Sequence, residues 1–233
     1  MQLHLVTEDF PPFTYPTQDL QPAGPMIEVV LHICAQIPAD CRIELLPWQR
    51  ALKLAQTDQV DGIFSVIRSK EREARFHFTK MLVRSSYSVF STTDQPFTYR
   101  TPADLKGRRI GVYGPSGTSY VLKQSIRQVS NVAIDMISDN RRLLRMLDSG
   151  RFGESGLIMI NKDVALSLIA DENLTHVREA GTLQAIEYAL AFSKQRINPA
   201  EFARIERAVE QVLNDGSLGR ILQTHQLEQP LQP

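Results

Sequence analysis

The chain carries no recognisable catalytic signature in its 233 residues. There is no Ser-centred GxSxG elbow, no Walker loop ending in GK[ST] and no GxGxxG fingerprint. The five histidines (His4, His32, His77, His176, His225) are scattered without HExxH-type spacing. Carboxylates are abundant but fall at no diagnostic separation, so no acid/base constellation rises above background. The expectation is a protein that is not an enzyme and needs neither cofactor nor metal. Net charge is also missing: 26 Lys and Arg balance 26 Asp and Glu. A nucleic-acid binder would carry a basic excess or stripe, so that class is excluded. No apolar run reaches the length of a membrane span. Met1 leads straight into Gln-Leu-His-Leu-Val, with no basic segment and apolar run before it. That reads either as a cytosolic protein or as a mature chain without its leader.

Cysteine is scarce as well. Cys34 and Cys41 stand seven apart, one closing a helical pattern and the other opening a strand pattern. The turn between them allows a bond, and two buried free thiols fit the same residues. The spacing excludes a Cys/His zinc cluster.

What is present is the balance of a globular protein: 42% hydrophobic and 22% charged residues. Short apolar runs alternate with helical patterns along the whole chain. Strands are expected at 2–7, 42–46, 62–66, 86–91, 109–113, 132–137, 156–160 and 186–192. Helices are expected at 25–36, 48–56, 118–128, 140–149, 161–169, 199–215 and 217–224. Such alternation means α/β units around mainly parallel sheets. Asn198-Pro199 places a cap and a first-turn proline before a helix whose buried stripe is Phe202, Ile205, Val209, Val212 and Leu213. The polar, turn-rich stretch 92–106 separates two α/β blocks.

Four segments sit where strands give way to helices or loops, the edge that lines ligand crevices in α/β sheets. The first, Thr7 to Tyr15, has two prolines and three aromatic rings, Phe10 among them. The second, Leu46 to Arg50, holds Trp48, the chain's one tryptophan. Each ring reads equally well as core or as a ligand wall. The third, Ser65 to Glu73, collects Ser65, Arg68 and Arg72. Arginine grips a carboxylate with two parallel hydrogen bonds, although a solvated charge run at a helix start fits too. The fourth, Gly111 to Ser119, opens a helix with small residues whose backbone amides suit an anionic group.

Read in order, these segments resemble the family 3 extracellular solute-binding proteins, the polar amino-acid receptors of ABC importers. The resemblance covers nearly the whole chain. TPADLKGRRIGVYGPSGTS is its most specific piece, supported by VDGIFSVIRSKEREARFHFT, DNRRLLRMLDSGRFGESGLIMIN and NPAEFARIERAVEQVLNDGSLGRIL. It implies the type II periplasmic-binding-protein fold, with one lobe from 1–90 plus 191–233 and the other from 91–190. It implies a Cys34–Cys41 disulfide and a periplasmic location. It implies that Arg72 clamps a ligand carboxylate and that Gly117, Thr118 and Ser119 hold the same group from the second lobe. Phe10 and Trp48 would sandwich the ligand side chain, and Asn161 would stand at the position of the family's ammonium-binding acid. The partners implied are a small carboxylate ligand, an amino acid or derivative, and a membrane permease, the receptor itself being a monomer. Two departures mark a divergent branch. Ile67 replaces the Thr or Ser five residues before the arginine, and Asn161 or Lys162, with Asp163 next to them, replaces the acid. The same fold also serves sensor modules and some dehydratases, for which Glu8, Asp9 and Glu187 would be the acid/base candidates.

Overall fold

The computed structural model describes residues 1–231. The chain parts into two compact units, Met1–Arg84 together with the segment from Glu187 onward, and Ser85–Ile186. The fold is the α/β periplasmic-binding-protein fold.

The first unit is built on a sheet of β4 (Asp40–Leu45), β1 (Gln2–Thr7), β5 (Gly62–Val66) and the part of β11 (Val177–Ser193) from Glu187 onward, in that order. β1 pairs parallel with both β4 and β5, whereas β11 runs antiparallel to β5. β6 (Phe76–Phe78) adds antiparallel to the same β11. A small hairpin of β2 (Tyr15–Pro16) and β3 (Pro22–Ala23) follows the first loop. The helices are α1 (Pro25–Gln36), α2 (Trp48–Gln56), the one-turn α3 (Lys70–Glu73), α7 (Pro199–Asn214) and α8 (Ser217–Thr224). Asp61 ties the unit together from a buried position. It accepts the His4 amide at 2.7 Å and the Arg196 guanidinium at 2.6 Å. Such charge-assisted bonds are the strong ones.

The second unit's sheet runs β7 (Val83–Thr92), β10 (Gly156–Asn161), β8 (Arg109–Tyr113), β9 (Ala133–Ile137). β8 is parallel to β9 and β10, and β7 is antiparallel to β10. Helices α4 (Gly117–Ser125), α5 (Asn140–Asp148) and α6 (Lys162–Glu172) complete it. The helix pattern read from sequence holds in α5: Leu143, Leu144 and Leu147 are buried, and Asp139 caps the helix by accepting the Arg142 amide. Arg141 and Arg145 both reach Glu172 and so join α5 to α6.

The sheets are mixed, because β7 and β11 run against their neighbours. In α7, Ile205, Val209 and Val212 are buried as expected, but Phe202 and Leu213 are only half-buried. Phe202 stacks on His77, 4.7 Å between ring centres, and Leu213 lines a cavity. α6 begins one residue later than expected, because Asn161 has extended backbone and caps the helix rather than entering it.

Cys34 and Cys41 are bonded, linking the end of α1 to β4. In the chain-entropy account a loop this short constrains the unfolded chain by about 2–3 kcal/mol. Thermal unfolding under reducing conditions is therefore expected to fall by roughly 4–12 °C in a chain of this size. An unchanged midpoint after verified reduction would show that the bond adds no net stability.

Candidate functional site

In the first unit the carboxyl ends of β4, β1 and β5 present three of the segments singled out above. The loop after β1 is held by its own backbone. The Phe10 amide donates to Thr14 O at 2.7 Å, and the Thr14 hydroxyl donates to Glu8 O at 2.7 Å. Three rings then pack as a nest. Phe10 stacks on Phe13 at 5.4 Å, and Tyr188 of β11 meets both edge-on at 5.9 and 5.6 Å. Phe13 is wholly buried and Phe10 is 5% exposed. Tyr188 was not singled out in the sequence, because it is an alternating aromatic within an ordinary strand pattern.

Trp48 is the first residue of α2 and is 7% exposed. The Arg72 guanidinium lies over its ring, 5.8 Å from the centroid. Arg72 belongs to α3, where Ser69 accepts its amide, and its Nη1 donates to Ile67 O at 2.9 Å. Ile67 meets the arginine through its backbone carbonyl. The Trp48 ring and the Ile67 carbonyl thus both bear on a group that has five N–H donors.

Ser65 lies at a bulge. Phe64 faces Leu190 and Val66 faces Ala189, so Ser65 is the extra residue on β5. Its φ is +57°, the left-handed region that a non-glycine residue rarely occupies. The bulge turns Ser65 out of the ladder, and its buried Oγ has no hydrogen-bond partner. Trp48 Nε1 is buried and unpartnered in the same way. Most buried polar atoms in folded proteins are paired, so two orphans in these segments stand out.

Arg68 is turned elsewhere. Its Nη2 donates to Phe78 O at 3.3 Å, its guanidinium lies 5.5 Å from the Phe78 ring centre, and its Nε is 3.4 Å from Glu73. It lines a cavity with Thr79, Lys80 and Glu206, of which Arg72 is not a part. Arg68, just before α3, and Arg72, within it, thus meet different surroundings.

In the second unit Gly117, Thr118 and Ser119 form the first turn of α4 and are all buried. Ser116 caps them, accepting the Thr118 amide at 3.1 Å. Ser119 closes the box: its hydroxyl accepts the Ser116 amide and donates to Ser116 O, both at 3.0 Å. The Ser119 hydroxyl and the Thr118 amide are thereby engaged within the turn. The Thr118 hydroxyl makes no hydrogen bond among the described residues. Gly114 gives Ser119 its room, since a Cβ there would come within 2.6 Å of that hydroxyl.

Asn161 is 1% exposed. Its Oδ1 accepts the Val164 amide at 3.0 Å, and its Nδ2 donates to the Ser85 hydroxyl at 2.8 Å. Ser85 in turn donates to the Asp163 carboxylate. Both ends of the Asn161 amide thus serve the fold of this unit. The acid that the sequence places beside it, Asp163, is oriented by Ser85.

Comparison with known proteins bears on these features. The sequence profile of the bacterial extracellular solute-binding proteins, family 3, matches residues 3–228. The L-cystine-binding protein TcyJ of Escherichia coli K12 is 22% identical over 211 residues, spanning 90% of this chain and 76% of that protein. Among solved structures, a histidine kinase sensor domain with similarity to periplasmic binding proteins aligns with a TM-score of 0.85 at 18% identity, covering 98% of each chain. An ancestral arginine-binding protein bound to arginine aligns at 0.82 and 19% identity, covering 96% of this chain and 97% of the other. At these identities the structural likeness establishes the fold alone.

Proposed function

This chain belongs to the bacterial extracellular solute-binding proteins, family 3, and from that premise we propose that it is an extracytoplasmic receptor for a small polar solute bearing a carboxylate, an amino acid or amino-acid derivative, which it hands to an ABC importer. The observation that carries this reading is Arg72, its guanidinium over the Trp48 ring and its Nη1 donating to Ile67 O. A planar guanidinium matches the fork of a carboxylate. The orphaned Trp48 Nε1 and Ser65 Oγ add two further donors from the same unit. A family relative binds L-cystine, which has this group. The disulfide fits an oxidising compartment.

The ammonium is the weaker requirement. Asn161 brings no charge, and its amide is committed to Val164 and Ser85. The carboxylate of the solute is therefore the fixed element of recognition.

A thermal-shift screen of amino acids, their N-acetyl derivatives, small dicarboxylates and the matching decarboxylated amines tests this. At a hundred times its Kd the true ligand adds about 2.7 kcal/mol, or a rise of roughly 5–11 °C for a chain of this size. Carboxylates are expected among the hits and decarboxylated amines are not. Equal stabilisation by an amine and its parent acid would sink the carboxylate clamp. The likeness to a kinase sensor domain supports a second reading, a ligand-sensing module. Stimulation of ATP hydrolysis by a reconstituted permease in the presence of solute and receptor separates transport from sensing.

A further inference from the structure

The first unit holds a second feature that solute capture does not use. It is an open cavity of about 520 Å³ whose walls include Met81, Leu213 and Leu231 on the apolar side and Arg68, Lys80 and Glu206 on the polar side. The charges around it pair off unequally. Lys80 Nζ lies 2.8 Å from Glu210, and Arg68 Nε lies 3.4 Å from Glu73. Glu206 is left over. Its Oε1 accepts the Lys80 backbone amide at 3.1 Å, but its Oε2 is buried and has no partner. Burial pushes this carboxyl above its ordinary value, with the Glu210 charge adding to the effect and the Lys80 amide and the Lys80 and Arg68 charges opposing it.

A cavity with hydrocarbon walls and a carboxyl whose second oxygen accepts no hydrogen bond has a definite complement. A positive charge on the ligand suits the site, because Lys80 and Arg68 make their closest ion pairs with Glu210 and Glu73. The ligand must bring N–H donors, because the unmatched atom is an acceptor. It must also bring an apolar body to cover the walls. We propose that this cavity binds a small primary amine with a hydrocarbon chain, its ammonium on Glu206 and its chain against Met81, Leu213 and Leu231. The terminal torsion of a glutamate is broad, so the carboxyl can turn its second oxygen toward the ligand. The site is distinct from the solute site, since its lining excludes Arg72 and Trp48.

The test is a titration of the whole chain with n-hexylammonium chloride, read by amide NMR at Lys80, whose backbone N–H rests on Glu206. A saturable shift at Lys80 and Leu213 is expected. Glu206→Gln is expected to weaken it at least about tenfold, the scale of a lost charge-assisted hydrogen bond. Arg72→Ala is expected to leave it unchanged, so failure here and failure of the solute reading are separable. Two controls use the unaltered chain in case Glu206→Gln folds poorly. Tetramethylammonium has the charge without donors, and n-hexanoate has the chain with the opposite charge, and both are expected to bind far more weakly. No saturable shift, equal binding of n-hexanoate or tetramethylammonium, or undiminished binding to a folded Glu206→Gln chain would each overturn the proposal.

Discussion

Replacing Arg72 by alanine is expected to weaken the best carboxylate ligand by about 30-fold or more. Truncating one partner of a buried, hydrogen-bonded charge pair costs about 2–5 kcal/mol, and each 1.4 kcal/mol is a factor of ten. Arg72→Lys should recover little, because an ammonium cannot make two parallel bonds to a carboxylate and stacks poorly on an indole. Calorimetric titration gives the affinity, and thermal unfolding in the same buffer controls for damage. The fold itself should lose only about 1 kcal/mol, the scale of one cation–π contact and one hydrogen bond. Unaltered affinity in a folded Arg72→Ala chain would remove the main support for the receptor mechanism.

Phe13→Ala is expected to have the larger effect on stability. Phe13 has no exposed surface and packs against both Phe10 and Tyr188. Emptying a buried phenylalanine site costs about 3–5 kcal/mol, through lost transfer energy and the cavity left behind. For a chain of this size that is a fall of roughly 6–20 °C in the unfolding midpoint. Phe10 stacks on Phe13, so this variant should also loosen the loop after β1 and reduce ligand affinity. A midpoint within a few degrees of the parent would mean that the nest collapses to fill the space.

The elements were legible where the chain is punctuated. β1, β5, β8, α1, α2 and α8 have the boundaries read from sequence, because prolines, glycines and clean alternation mark their ends. β11 was read only from Ile186, yet it begins at Val177. Its first half, VREAGTLQA, is largely exposed or half-exposed and therefore lacks the apolar alternation that reveals a strand. The one-turn α3 hides in the run SKERE, which is too short to show a helical period. In the candidate site the residue types were legible but their partners were not. Ser119 and Asn161 are polar residues near helix starts, where capping competes with ligand binding for the same atoms. Which of Arg68 and Arg72 turns toward Trp48 depends on a single turn of helix, and spacing alone does not encode it. Glu206 gave no signal, since a glutamate beside a buried stripe reads as a solvated helix face.

Trp48 is the chain's one tryptophan, and a cation rests on its ring. Every photon of indole emission therefore originates at a single point, beside the group proposed to receive the solute. Any ligand that draws Arg72 off the ring, or puts an acceptor on Nε1, alters the emission of the whole molecule. The protein thus carries its own optical probe, and occupancy can be followed in stopped flow without a label.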